Sequence, residues 1–177
     1  MVGDSTDPGF TFLAARDLLK SGKARVSCSY VQIYNSAITD LLAPGGGKEA
    51  VACGLRLRGD GGTGEVEVEG ATLVQISTAM QVDELIRKGA SRRKVASHLL
   101  NSESSRSHAI FTYHISALSG ADEGGKGGKD CEDEVDVVSS KLHIVDLAGS
   151  ERVKESGVSG SNLKEAIGIN LSLFYLR

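Results

Sequence analysis

The stretch "LHIVDLAGSE", residues 142 to 151, limits the fold more than any other part of this chain. Its apolar run suits a buried strand, Asp146 marks where that strand ends, and Ala148 and Gly149 make a small-residue turn. Open α/β sheets bind ligands at the carboxyl ends of their strands, so this carboxylate is expected at a ligand's edge. Two readings fit it: an Asp that holds a hydrated Mg²⁺, as in the Walker-B strand of a nucleotide hydrolase, or an Asp that caps its own turn. Under the first, Gly149 brings its backbone N–H up to a terminal phosphate with no Cβ in the way.

Around this strand, helical and extended patterns alternate. "DPGFTFLAARDLLKSG" (7 to 22) places Phe10, Leu13, Ala14 and Leu18 on one helical face, with Asp7 as cap, Pro8 in the first turn and Gly22 as the stop. "ARVSCSYVQIYN" (24 to 35) is rich in β-branched and aromatic residues and predicts a strand. Leu55 and Leu57, then Val66 and Val68, alternate on either side of "GDGGTG" and predict a hairpin. Thr78 and Gln81 have capping-box spacing ahead of Val82, Leu85 and Ile86, which predicts a helix over about 78 to 88 stopped by Gly89. "AIFTYHISAL" (109 to 118) and "SKLHIVDL" (140 to 147) predict two strands joined by a Gly-rich, acidic surface loop. Leu163, Ile167, Leu171 and Phe174 carry helical spacing through 160 to 177.

The bulk numbers exclude several classes. With 40% hydrophobic and 24% charged residues in 177, the chain is globular, and its length fits one domain. A formal charge of −3 gives no drive toward nucleic acid or an anionic membrane, leaving only the local basic run "RKGASRRK" (87 to 94) as a contact point. Cys28, Cys53 and Cys131 match neither a disulfide framework nor a metal-ligand spacing, which reads as a reducing, intracellular compartment. No run reaches the roughly 20 apolar residues that span a bilayer, and the amino terminus has no export pattern.

The second chemical constellation is "NSESSRSHAIF", residues 101 to 111. Serine hydroxyls can both ligate Mg²⁺ and orient an attacking water, and Arg can clamp a carboxylate through two parallel hydrogen bonds. The serines are expected to face a nucleotide, and Arg106 to pair with Glu151 in a latch that closes on a γ-phosphate and opens after hydrolysis. Turn or capping hydroxyls are the other reading of each serine. His108 is read as a structural hydrogen-bonding group and His98 receives no role.

Taken together, these segments resemble the motor domains of kinesins. "NSESSRSH" fits the family's switch I, N-x-x-S-S-R-S-H (about 101 to 108), and "DLAGSERV" (146 to 153) fits its switch II (about 146 to 151). "SYVQIYNSAITDLL" (29 to 42), "ASRRKVASHLLN" (90 to 101) and "GSNLKEAIGINLSL" (160 to 173) are similar to further family segments, so the resemblance runs from about 8 to 173 and makes residues 1 to 177 a partial motor domain. It implies a P-loop-type, three-layer α/β fold with a central, mostly parallel sheet flanked by helices. It further implies that Ser105 and Asp146 support Mg²⁺, Ser104 positions the lytic water, Asn101 lies near the nucleotide and Gly149 senses the γ-phosphate. Arg106 and Glu151 would form the closing salt bridge, with Glu151 also relaying a proton. The implied activity is ATP hydrolysis coupled to microtubule binding and movement, in the cytoplasm and on the microtubule cytoskeleton, with neither nucleic acid nor membrane as partner.

Departures from the family pattern are also legible. Gln32, Ser36, His98, Glu155 and Leu171 replace the family's usual residues, which leaves Lys154 and Lys164 as the tubulin-facing cations. The chain contains no G-x-x-x-x-G-K-[ST], and "MVGDSTDPGF" fits the segment that follows this phosphate cradle in the family. Catalysis by these residues alone is therefore not expected, and a degenerate module that binds microtubules or a partner without hydrolysis is the alternative. The apolar strand at Leu142 to Val145 is expected to keep an unpaired edge and to lower solubility.

Overall fold

The computed structural model describes residues 3, 8–34, 37–45, 55–59, 66–96, 107–119 and 136–149. Helix α1 (Phe10–Leu19) is followed by β1 (Ala24–Tyr34), β2 (Ala37–Asp40), β3 (Arg56–Gly59), β4 (Val66–Glu69) and β5 (Val74–Ile76). Helix α2 (Ala79–Ala96) then leads to the long strands β6 (His108–Ser119) and β7 (Asp136–Asp146). Among these elements, no helix is long and apolar enough to cross a membrane.

The main sheet runs β2-β1-β6-β7, with β5 pairing the amino-terminal half of β1 on the edge that β2 occupies further along. Strand β1 alternates so that Val26, Cys28 and Tyr30 share one face, and the register sets Cys28 opposite Tyr113 and Tyr30 opposite Phe111. That face carries the core, closed by Ala15 of α1 and by Val82 and Ile86 of α2, which pack on it together. Tyr30, Phe111 and Tyr113 meet edge to face at centroid separations of 5.5 and 5.1 Å. The Tyr113 hydroxyl donates to the Thr11 carbonyl and so ties α1 to the sheet. The opposite face carries polar pairs: Ser29 bonds His114 at 3.0 Å and Thr112 bonds His143 at 2.9 Å.

The mostly parallel sheet implied by the family resemblance is not what the described strands form, because every described pairing is antiparallel. Only residues 35 and 36 separate β1 from β2, too short a link for a parallel crossover. A parallel relationship does exist between β5 and β6, which both run against β1, but they flank β1 and do not pair with each other. Both described helices cover one face, and the helix expected over 160 to 177 lies outside the described residues.

Of the two glycines expected to stop helices, one does and the other does not. Gly22 takes a left-handed φ of 62° just after α1, where a Cβ is strained, so it stops the helix as its sequence position suggests. Gly89 does not stop α2, which continues to Ala96. A Cβ there would stand 2.4 Å from two carbons of the Tyr30 ring, so this glycine exists for close helix–sheet approach and not for a turn. The start of α2 is the expected capping box: Gln81 Oε1 accepts from the Ser77 and Thr78 amides, and Thr78 Oγ1 accepts from the Gln81 amide. The hairpin β3–β4 forms as predicted, with Leu57 opposite Val68.

Three strand features escaped the sequence pattern. Strands β2 and β5 are only 4 and 3 residues long, too short to show an alternation. Strand β7 begins at Asp136, inside the stretch read as acidic loop, because its pairing with β6 extends to Ser119 opposite Asp136. Among the described strands β7 pairs with β6 alone, and Val138, Val145 and Leu147 on and just past it are about half exposed.

Candidate nucleotide site at the end of β7

Strand β7 ends at Asp146, opposite Ala109 at the start of β6, so the serine-rich segment and the D-L-A-G turn leave the sheet at the same end. Asp146 keeps 48% of its side chain exposed, and its Oδ2 accepts a hydrogen bond from Arg93 Nη1 at 2.9 Å. Arg93 comes from α2 and is itself only 8% exposed. Its Nη2 donates to the Ser107 carbonyl at 2.7 Å and its Nε to the Ser107 hydroxyl at 3.2 Å. The Tyr30 hydroxyl also bonds this guanidinium; burial pushes its pKa up, while Arg93 opposes that rise.

On the other side of Asp146, His108 Nδ1 accepts the Ala148 N–H at 3.0 Å. An Asp146 that capped its own turn would take that N–H, two residues ahead of it, in an Asx-type bond. With the amide given to His108 and the carboxylate given to Arg93, the capping reading of Asp146 loses its donor. Burial lowers the pKa of His108, and the neighbouring Arg93 charge lowers it further against the opposing pull of Asp146. His108 is thereby kept neutral, as an accepting Nδ1 requires.

Asp146 and Gly149 are the predicted site residues that the structure describes; Gly149 is exposed, three residues past the strand end. Asn101, Ser104, Ser105, Arg106, Glu151, Lys154 and Lys164, and with them the Arg106–Glu151 latch, lie outside the described residues. Among the described residues no cluster of three His, Cys, Asp or Glu could cage an ion. A single half-exposed carboxylate fits Mg²⁺, which keeps most of its waters and takes few protein ligands.

Sequence reasoning missed Arg93, reading it as part of a surface basic run. The structure disperses that run: Arg87 pairs with Asp83 at 2.8 Å, Arg92 donates to the carbonyls of Leu41 and Gly45, and Arg93 turns inward. A signal was present, because Val82, Ile86, Gly89 and Arg93 follow one another at helical spacing on the face that α2 buries. An Arg in register with a buried stripe must find acceptors inside the protein.

Known proteins similar to this chain share one family. The family model for the kinesin motor domain matches residues 1–177. The chain is 42% identical over 151 residues to kinesin-like protein KIN-12C of Arabidopsis thaliana, covering 85% of this chain and 6% of that protein. It is 38% identical over 175 residues to kinesin-like protein KIN-UC of the same plant, covering 96% of this chain and 16% of that protein. Among solved structures it is similar to a fast kinesin at a TM-score of 0.72 and 30% identity, covering 96% of this chain and 45% of that one. It is similar as well to KIF14 with ADP in complex with a microtubule, at a TM-score of 0.75 and 30% identity, covering 99% of this chain and 49% of that one. With the family model matching the whole chain and relatives at 42% and 38% identity over most of it, the chain belongs to the kinesin motor domain family.

Proposed function

We propose that this chain forms part of an ATP-driven microtubule motor, in which nucleotide hydrolysis is coupled to microtubule binding and movement. The observation that carries the reading is the half-exposed Asp146 carboxylate, fixed at the strand end by Arg93 and followed by an exposed Gly149. In this role Asp146 and Ser105 would be the residues that hold a hydrated Mg²⁺. Mg²⁺ supplies charge neutralisation of the β- and γ-phosphates. Ser104 places the attacking water, Asn101 lines the nucleotide, Gly149 donates its N–H toward the γ-phosphate, and Arg106 with Glu151 closes the two segments over it. Lys154 and Lys164 supply cations toward the acidic tubulin surface. Similar motors in complex with microtubules support a location on the microtubule cytoskeleton, and the cytoplasm is the compartment we infer for it.

Two assays on the native protein test this. Microtubule pelleting should depend on whether ATP or ADP is present, and Gly149→Ala or Glu151→Ala should lower ATP turnover by about 100-fold, as loss of one transition-state donor does. Near-normal turnover in both variants would defeat the site assignment, while pelleting indifferent to nucleotide would favour the non-catalytic binding module.

A further inference from the structure

The paired ladder between β6 and β7 ends at Ala109 opposite Asp146. Past that rung the backbone of Leu147 to Gly149 leaves the sheet, and its amides lose their strand partners. His108 stands one residue beyond the rung on the other strand, buried to 6% exposure, and its side chain takes the amide of Ala148, itself only 5% exposed. A side-chain acceptor thus replaces the next backbone rung. The bond spans 40 residues of sequence and joins the last residues of the serine-rich segment to the turn that delivers Gly149.

We propose that His108 is a positioning residue that fixes the aim of the Gly149 amide by pinning Ala148. This rests on the motor reading above and adds a member to its machinery that touches neither nucleotide nor metal. A neutral imidazole with its proton on Nε2 is required, and Arg93 and Asp146 are the charged groups that act on it.

The test uses three variants of the native protein. Asn sets its amide oxygen about where Nδ1 stood, Gln carries the polar group further out, and Leu removes it. Amide exchange at Ala148 should stay within about twofold in His108→Asn and rise about tenfold in His108→Gln and His108→Leu, the size of one net hydrogen bond. ATP turnover should follow the same order, with kcat falling and KM for ATP held within about twofold, since the bond orients a group that acts in the transition state. Nitrogen-15 spectra of the wild type should show His108 as the neutral Nε2–H tautomer. Unchanged Ala148 exchange in His108→Leu, an Asn variant as impaired as Leu, or an Nδ1–H tautomer would each overturn the proposal. Exchange that responds while kcat does not would also overturn it, by reducing His108 to a structural role. If the wild type shows no ATP turnover, the motor reading fails separately, and exchange with the tautomer still decides the bond.

Discussion

Replacing Gly89 by Ala tests how α2 is set against the sheet. The added Cβ would stand 2.4 Å from Cδ1 and Cε1 of Tyr30 and 3.3 Å from Cβ of Leu41. Carbon atoms rest at about 3.5–4.0 Å, so roughly 1 Å of separation has to be opened. The ring has no room to give it. Tyr30 is 1% exposed, lies edge to face with Phe111, and is held at its hydroxyl by Arg93. Overpacking a close-fitted core costs about 1–3 kcal/mol, and a contact with two atoms of a pinned ring belongs at the upper end of that range. Alanine returns about 1 kcal/mol through its better helix propensity. The net expectation is a loss of about 2 kcal/mol, or about 1 M in the urea midpoint for a slope near 2 kcal/mol/M.

Urea unfolding of Gly89→Ala against wild type reads this directly, with Lys88→Ala on the exposed side of the same turn as a control that should not move. In a Tyr30→Leu background the ring is gone and the helix-propensity gain remains, so Gly89→Ala should cost about 3 kcal/mol less than it does alone. A Gly89→Ala midpoint at or above that of wild type would refute the reasoning. So would an equal cost in both backgrounds, because the penalty would then not come from the ring.

Asp40 is 3% exposed and accepts from the amides of Leu42 and Thr72, both at 2.8 Å, so it clasps the exit of β2 to the approach of β5. Asp40→Ala should cost about 3 kcal/mol by leaving two donors unmet, and Asp40→Asn, which keeps one acceptor, clearly less; equal midpoints for wild type and Asp40→Ala would contradict this. Alkaline pH should destabilise the fold through Cys28, whose thiol is pushed by burial from an ordinary 9.0 up to about 12. The folded state holds that proton more tightly than the unfolded chain, so this contribution is complete below about pH 9 and is lost as pH rises through about 12. Burial shifts Tyr113 the same way. The urea midpoint should fall across that window, less so in Cys28→Ala, and a flat midpoint would argue against the buried neutral thiol.

The parts of the fold that were legible in the sequence are those whose own residues dictate their structure. The capping box at Thr78 and Gln81 needs nothing beyond itself, and β1 is dense enough in β-branched and aromatic residues to be read as a strand. Gly89 misled because glycine has two uses, and the second, close approach, is decided by Tyr30, 59 positions away in sequence and visible only once the sheet is built. Strand β5 could not be read for a similar reason, since its three residues are ordered by pairing with β1 and not by any pattern of their own. Within the site, Asp146 and Gly149 announced themselves through a short motif, whereas Arg93 was hidden by its neighbours. In "SRRK" its charge looks like surface, and only its phase on α2 separates it from Arg92.

That phase has a chemical consequence. The guanidinium of Arg93 offers donors in a fixed fork, and three of the acceptors they meet are Ser107 Oγ, the Ser107 carbonyl and Asp146 Oδ2. Two of these belong to the end of the serine-rich segment and one to the end of β7, so a single buried cation sets the distance between the two halves of the site. A carboxylate already paired with a cation is a poor direct ligand for a second one, because the positive charges would repel across it. It remains a good acceptor for a metal-bound water, which brings the divalent charge no closer than one water layer. The Arg93–Asp146 pair would therefore suit Asp146, in the proposed site, to accept from a water of a hydrated cation. It also explains why Asp146 stays half exposed while its partner is buried: the carboxylate must face two ways, and the cation only one.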